Sequence, residues 1–255
     1  MQFTLLTYNT LLNDAQRGLH EIFIRHKPDI VCLQEIDTDD ANIQTIEKLG
    51  YALADFSNGF IKFGKVYGVA TFYKKTRFTF QGSKSITLPR GIGEALAFIL
   101  RVFKTQKKDR TVLKTDFKTI EGTHLSVYNI HLSAHGTNGI RIKQLEKTLK
   151  DIHIDTKKPT ILTGDFNYPF GRKKLEELMQ TNGFAEATAA IPFTTDGKLI
   201  HYALLEKWLM KVFQFVFGKE NKLDYCFFKN CQVISATKLN VDYSDHFPII
   251  ARFEV

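Results

Sequence analysis

Apolar side chains recur along this chain with two periods. Runs at residues 2–8, 29–34, 51–55, 68–73, 77–81, 111–118, 123–130, 160–163, 223–228, 232–239 and 247–253 are short and rich in β-branched and aromatic residues, the pattern of buried or half-buried strands. A further run at 94–104 pairs, in this reading, with 111–118 around a polar turn at 106–110. Helical spacing marks 14–27, where Leu19, Ile22 and Phe23 form a stripe, Asn13 is available as a cap and Pro28 ends the run. It returns at 41–49, closed by Gly50, and at 140–152 and 172–180. Many strands with few helices between them specify two packed sheets flanked by helices, not one doubly wound parallel sheet. No short-period repeat and no linker divides the chain, so residues 1–255 read as one domain.

The strands share a polar ending. Leu5-Leu6-Thr7-Tyr8 stops at Asn9, the run from Ile30 to Gln34 at Glu35, and the run from Val127 to Ile130 at His131. Residues 160–164 lead to Asp165 and Asn167, with Gly164 providing a turn and the two polar side chains sharing one side if the backbone stays extended. Asp224 stands in Leu223-Asp224-Tyr225, and Ser244-Asp245-His246 precedes the apolar Phe247-Pro248-Ile249-Ile250. Any one of these alone is compatible with an ordinary turn, where Gly, Asp and Asn are common. Their repetition carries the weight, because polar side chains abutting buried strands are costly unless they find partners. Gathered at one sheet edge they form a cleft with four carboxylates, two imidazoles and two amides. Carboxylates handle protons or cations and amides donate to oxygens, which suits a phosphate site.

Composition narrows the class. Apolar residues at 44% and charged residues at 24% are ordinary for a globular chain. The net charge of +8 and isoelectric point near 9.2 favour an anionic partner: nucleic acid, an acidic membrane surface or a phosphorylated small molecule. No apolar run is long enough to span a bilayer, and the first residues enter a strand pattern with no leader signature. Cys32, Cys226 and Cys231 form neither a disulfide framework nor a metal-ligand spacing, so the expected location is cytoplasmic with reduced thiols.

In the blocks Tyr8-Asn9, Leu33-Gln34-Glu35-Ile36, Gly68-Val69-Ala70-Thr71-Phe72, Asn129-Ile130-His131-Leu132, Gly164-Asp165-Phe166-Asn167, Leu223-Asp224-Tyr225 and Ser244-Asp245-His246, taken in that order, the chain resembles the endonuclease/exonuclease/phosphatase superfamily over nearly its whole length. The resemblance implies an α/β fold, a four-layered α/β/β/α sandwich of two packed mixed β-sheets flanked by helices. It implies a phosphoesterase dependent on Mg²⁺, with Mn²⁺ as a substitute. Glu35 would be the main metal ligand with Asn9 and Asp245 in its polar shell, a hard-oxygen setting that suits Mg²⁺. Asp165 would orient or deprotonate the attacking water, and Asn167 would donate to a phosphate oxygen. His246 would act on the phosphate, oriented by Asp224. Either Asp165 or the Asp224–His246 pair is the base. His131 stands where the family's abasic-site endonucleases carry tyrosine and its deoxyribonucleases and sphingomyelinases carry histidine. It speaks against an abasic-site specialist and would donate to a phosphate oxygen or protonate the leaving group. Leu11 replaces an acidic residue of the abasic-site enzymes, which counts against a second metal.

Other candidates have plainer readings. Asp37, Asp39 and Asp40 read as a solvated helix approach, and His20, His26, His124, His153 and His201 as surface or packing residues. His135 reads as a loop residue, Arg141 and Gln144 as structural. Within an insertion at about 192–220, Leu205, Trp208, Leu209, Val212, Phe213 and Val216 fall at helical spacing over residues 199–217. That helix packs on its own domain or forms an apolar lid touching membrane, lipid or unstacked bases. The expected substrate is a phosphodiester in nucleic acid, hydrolysed by a monomer with no protein partner. The alternatives are a lipid-headgroup or inositol-phosphate phosphoesterase, and an inactive binding module of the same fold.

Overall fold

The computed structural model describes residues 1–90, 111–134, 137–154, 157–197 and 220–255. In chain order the elements are β1 (Gln2–Asn9), α1 (Gln16–His26), β2 (Ile30–Asp37), α2 (Asp40–Glu47), β3 (Ala52–Lys62), β4 (Lys65–Tyr73), β5 (Phe78–Thr87), β6 (Thr111–Thr119), β7 (His124–His131), α3 (Asn138–Ile152), β8 (Thr160–Asp165), α4 (Arg172–Thr181), β9 (Ala185–Glu186), β10 (Asp224–Lys229), β11 (Gln232–Lys238) and β12 (Ile249–Glu254). The strands form two six-stranded sheets, ordered β11-β12-β1-β2-β4-β3 and β5-β6-β7-β8-β10-β9. Each sheet has one parallel pair, β1 with β2 and β7 with β8. A parallel pair needs a crossover, which α1 and α3 supply. The C-terminal ends of these four strands therefore lie at one edge of the sandwich. Antiparallel β10 and β12 start at that same edge, Asp224 opposite Asp165 and Ile249 opposite Thr7.

Strand alternation explains why that edge is polar. One face of β1 carries Phe3 and Leu5 into the core between the sheets, while Leu6 and Tyr8 face the helices α1 and α2. The inner face then continues as Thr7 and Asn9. On β7 it runs Leu125, Val127, Asn129, His131, on β8 Ile161, Thr163, Asp165, and on β10 it runs from Asp224 to Cys226. Each strand is thus apolar on its inner face except at the end that reaches this edge, the last residues of β1, β7 and β8 and the first of β10. Helices α3 and α4 cover the second sheet through a cluster including Leu145, Leu149, Leu175 and Met179. Beneath the polar edge, Gln34 Nε2 donates to Asn129 Oδ1 (2.8 Å), and Asn129 Nδ2 donates to the carbonyls of Leu33 (3.1 Å) and Ala70 (2.9 Å). This pair ties the two sheets together at the boundary between core and cleft.

Several local readings need correction. Asn13 does not cap α1; it bonds Gln16 and Asn42, and Ala15 holds the cap position with no side-chain bond. Gly164 does not turn the chain. It stays in β8 at φ +135°, and an added Cβ would lie 2.1 Å from the Ile130 carbonyl oxygen, so glycine serves both this backbone conformation and close strand approach. Asp37 is buried and paired with Lys65 (2.6 Å) instead of solvated, while Asp39 caps α2 through the Asn42 amide (2.7 Å). Strands β3, β4 and β5 run longer than their apolar cores suggest. The strand at 94–104, the turn at 106–110, His135 and the segment 199–217 lie outside the described residues.

Candidate active site

Six strand ends bring the polar residues together. Asp165 stands at the centre. Its Oδ2 accepts from Asn9 Nδ2 (3.0 Å) and Asn167 Nδ2 (2.9 Å), and its Oδ1 accepts from the Asn167 backbone amide (2.8 Å). Asn167 reaches back because its backbone is left-handed, at φ +49°; a turn, not strand alternation, sets the two side by side. Its amide also donates to the Leu132 carbonyl (3.2 Å), so here Asn167 orients Asp165 and does not face outward for a phosphate oxygen. His131 Nε2 lies 3.5 Å from Asp165 Oδ2 and 3.7 Å from Glu35 Oε1, between the two carboxylates. His246 Nε2 is 4.0 Å from Asp165 Oδ2.

Glu35 owes its position to a bulge. Gln34 pairs with Val69 and Ile36 with Gly68, leaving Glu35 unopposed at φ +54°. A bulge of this kind re-aims a side chain at a sheet rim. The Glu35 carboxylate accepts from the Leu12 amide (3.2 Å). Asp245 lies beside His246, near Ser244 Oγ (3.3 Å), and Ser244 Oγ donates to the Asn9 carbonyl (2.9 Å), joining the loop before β12 to the end of β1. Arg141 and Gln144 are buried and bind the backbone of Ser133 and Ala134, fixing the loop that follows His131.

The electrostatics follow from burying many carboxylates together. Burial pushes Asp165 up to about 7, with Asp224 and Glu35 adding to the rise and His246 opposing it. Burial likewise raises Asp245. Burial alone would lower His246, but the carboxylates of Asp224, Asp245 and Asp165 outweigh it and hold the imidazole well above its ordinary value. The cluster therefore keeps a protonated imidazole beside an acid poised near neutrality.

Thr194 joins the cluster through Asp224, a link that the sequence pattern did not reveal. It is fully buried, and its Oγ1 accepts from the backbone amides of Leu223 (3.0 Å) and Asp224 (3.0 Å). Its one proton goes to Asp224 Oδ2 (2.7 Å), the atom that also accepts from His246 Nδ1 (2.7 Å). Asp224 is thereby locked as an acceptor, Nδ1 of His246 carries hydrogen, and Nε2 faces Asp165. Residues 192–197 are accordingly anchored in the site: Asp196 N donates to the Asp245 carbonyl (3.1 Å) and Phe247 N to the Thr194 carbonyl (2.7 Å). Thr194→Val keeps the volume and loses the hydroxyl. It is expected to lower kcat roughly tenfold with KM little changed, the low end for a hydrogen bond to a charged group. Thr194→Ser should restore most of that loss. A folded serine variant as slow as the valine one would remove the hydroxyl from the chemistry.

The donor set suits a hard cation. Oxygens of Glu35, Asp165, Asp245 and Asn9 gather at one edge, and the buried excess of carboxylate is what a divalent ion relieves. Asp165, Asp224 and His246 place one ligand atom each within 4.8 Å of one another. Asp224 is already engaged by Thr194 and His246, so that trio fits proton handling better, and Glu35 is the carboxylate of the cluster that reaches solvent, one-fifth exposed.

Residues 6–246 match the model of the Endonuclease/Exonuclease/phosphatase family. The chain belongs to this family and is a phosphoric ester hydrolase. Among solved structures it is similar to the human Nocturnin catalytic domain with bound sulfate anion, at 19% identity over 99% of this chain and 94% of that one, TM-score 0.73. It is similar to the mannosyl-6-phosphatase Bt3783 of Bacteroides thetaiotaomicron, at 17% identity over 99% and 100%, TM-score 0.68. It is also similar to ANGEL2, a 2',3'-cyclic phosphatase, at 14% identity over 99% and 95%, TM-score 0.70. At these identities the likeness is one of fold. No curated protein matches the sequence.

Proposed function

We propose that this protein is a Mg²⁺-dependent phosphodiesterase acting on nucleic acid. The observation that carries the chemistry is the buried group of Asp165, His246 and Asp224 beside the partly exposed carboxylate of Glu35. Asp165, raised to about 7, takes a proton from the attacking water. His246, protonated and oriented through Asp224 and Thr194, presents Nε2–H to a non-bridging phosphate oxygen. His131 lies on the other side of Asp165 and donates to the phosphate or the departing oxygen. Glu35, with Asn9 and Asp245, holds the ion; a bound Mg²⁺ would act as Lewis acid and stabilise the leaving oxygen, with Mn²⁺ able to replace it.

The substrate class rests on charge. A net +8 favours a polyanion, and the relatives named above include a sugar phosphatase and a cyclic phosphatase, so the fold itself does not select the ester. Three free cysteines, two of them buried, support a reducing cytoplasmic setting. No helix among the described residues is long and apolar enough to cross a membrane. If nucleic acid is the substrate, affinity for duplex DNA falls steeply with salt, by about the 0.9 power of salt concentration per phosphate contact. The measurement is a salt titration of binding, run beside Trp208 fluorescence, which is specific because the chain has one tryptophan. Salt-insensitive or absent DNA and RNA binding, with a blue shift of Trp208 on anionic vesicles, would transfer the assignment to a lipid headgroup.

A further inference from the structure

Strands β3 and β4 form a hairpin whose tip passes the catalytic edge. Lys62 pairs with Lys65, so Phe63 and Gly64 alone make the turn. Because β4 is antiparallel to β2, with Gly68 opposite Ile36 and Tyr67 opposite Asp37, the tip projects beyond the end of β2 that carries Glu35. The hairpin also touches the site directly. The Phe60 ring stacks on Tyr67 at 5.5 Å and meets the His131 imidazole edge-on at 6.5 Å.

The residue at the tip is the wrong one for folding alone. Both turn residues have positive φ, +52° at Phe63 and +76° at Gly64, the geometry of a two-residue hairpin turn that favours Asn, Asp or Gly at its first position. A bulky aromatic in the left-handed region is an outlier. Its side chain gains no burial in return, since Phe63 is 70% exposed. Lys62 Nζ stands 5.1 Å over the ring, and Lys65 binds Asp37 through one carboxylate contact (2.6 Å) with more than half its side chain exposed. A strained, exposed ring with an ammonium group over it matches an unstacked base with its neighbouring phosphate: each base offers a π-face, and the backbone offers negative charge.

We propose that the Phe63 tip is a stacking platform for an unpaired base of a single-stranded nucleic acid, with Lys62 on the flanking phosphate, next to the scissile bond at His131 and Glu35. This rests on the nucleic-acid reading above and narrows it to a single strand or frayed end. The test is steady-state hydrolysis of a short single-stranded oligonucleotide, with a small soluble phosphodiester in parallel. Phe63→Asn is expected to raise KM for the oligonucleotide about tenfold, and Phe63→Trp to keep it within about twofold, as loss and retention of one stacked base require. Thermal stability should not fall in Phe63→Asn, because asparagine suits the turn better; this separates binding from folding. The proposal is overturned if the wild type cleaves the oligonucleotide and Phe63→Asn does so with an unchanged KM. It is also overturned if Phe63→Trp is as weak as Phe63→Asn, or if Phe63→Asn loses binding to phosphatidylserine-containing vesicles and not to the oligonucleotide. A wild type that cleaves only the small phosphodiester would instead sink the nucleic-acid reading itself, and the platform with it.

Discussion

Asparagine in place of Asp165 is expected to lower turnover by at least about a hundredfold, the low end for a positioned acid or base. The change keeps the shape and removes the proton acceptor. It also breaks an arrangement in which three hydrogen bonds to the Asp165 carboxylate come from donors: Asn9 Nδ2, Asn167 Nδ2 and the Asn167 amide. Whichever way the new amide turns, its NH₂ meets a donor, which costs about 1–3 kcal/mol per unsatisfied buried group. Opposing this, the variant loses a buried carboxylate that Asp224 and Glu35 repel. The net change in Tm is therefore small beside the loss of rate. A second readout belongs to the proton itself. The acidic limb of kcat/KM in the wild type should fall at or below about 7, since a bound cation lowers the Asp165 value further, and it should vanish in the variant. A folded Asp165→Asn protein near the wild-type rate would take Asp165 out of the mechanism.

How far the chain could be read in advance depended on how local each signal was. Asn9, Glu35, His131, Asp165 and Asp224 each end or begin an apolar strand, so their gathering at one edge follows from strand periodicity and the parallel pairs β1–β2 and β7–β8. Two packed sheets flanked by helices followed from the order of strands and helices, and the four-layered form from the family resemblance. What was hidden depended on partners distant in sequence. Thr194 looks like any loop threonine until its bond to Asp224, thirty residues on, is known. Gly164 reads as a turn residue because glycine marks turns and close backbone approach equally; the structure keeps it in β8, with a positive φ and the Ile130 carbonyl against it. Asp37 sits among acidic neighbours and looks solvated, but β4 brings Lys65 to it across the sheet. The hairpin tip was missed because Phe60-Ile61-Lys62-Phe63-Gly64-Lys65 alternates poorly, and its pairing is set by the backbone of β4 and two bulges, not by an apolar face.

Removing metal with a chelator is expected to cost at least about a hundredfold in rate, given the several kcal/mol a Lewis-acid cation supplies to such a transition state. The same ion should be visible without turnover, through stability and protons. In the metal-free protein Asp165 binds its proton more tightly than in the unfolded chain, about 7 against 3.8. Its contribution to stability is thus fully present below pH 3.8 and is lost as pH rises to about 7. His246, also raised, acts in the same direction: its contribution is complete below 6.5 and is lost as pH climbs through its folded value. Both groups make the metal-free fold weaker on the alkaline side, where the buried carboxylates are charged and uncompensated. A divalent cation supplies the missing positive charge, so it should displace protons on binding and raise Tm more at pH 8 than at pH 6. Thermal melts with and without Mg²⁺ at the two pH values measure this, and calorimetry in buffers of different ionisation enthalpy counts the protons released. Glu35→Gln, which keeps the side-chain shape but removes one anionic oxygen ligand, should shrink the Mg²⁺-induced rise in Tm at both pH values. A rise that is equal at pH 6 and pH 8, or unchanged in Glu35→Gln, would place the ion away from this cluster.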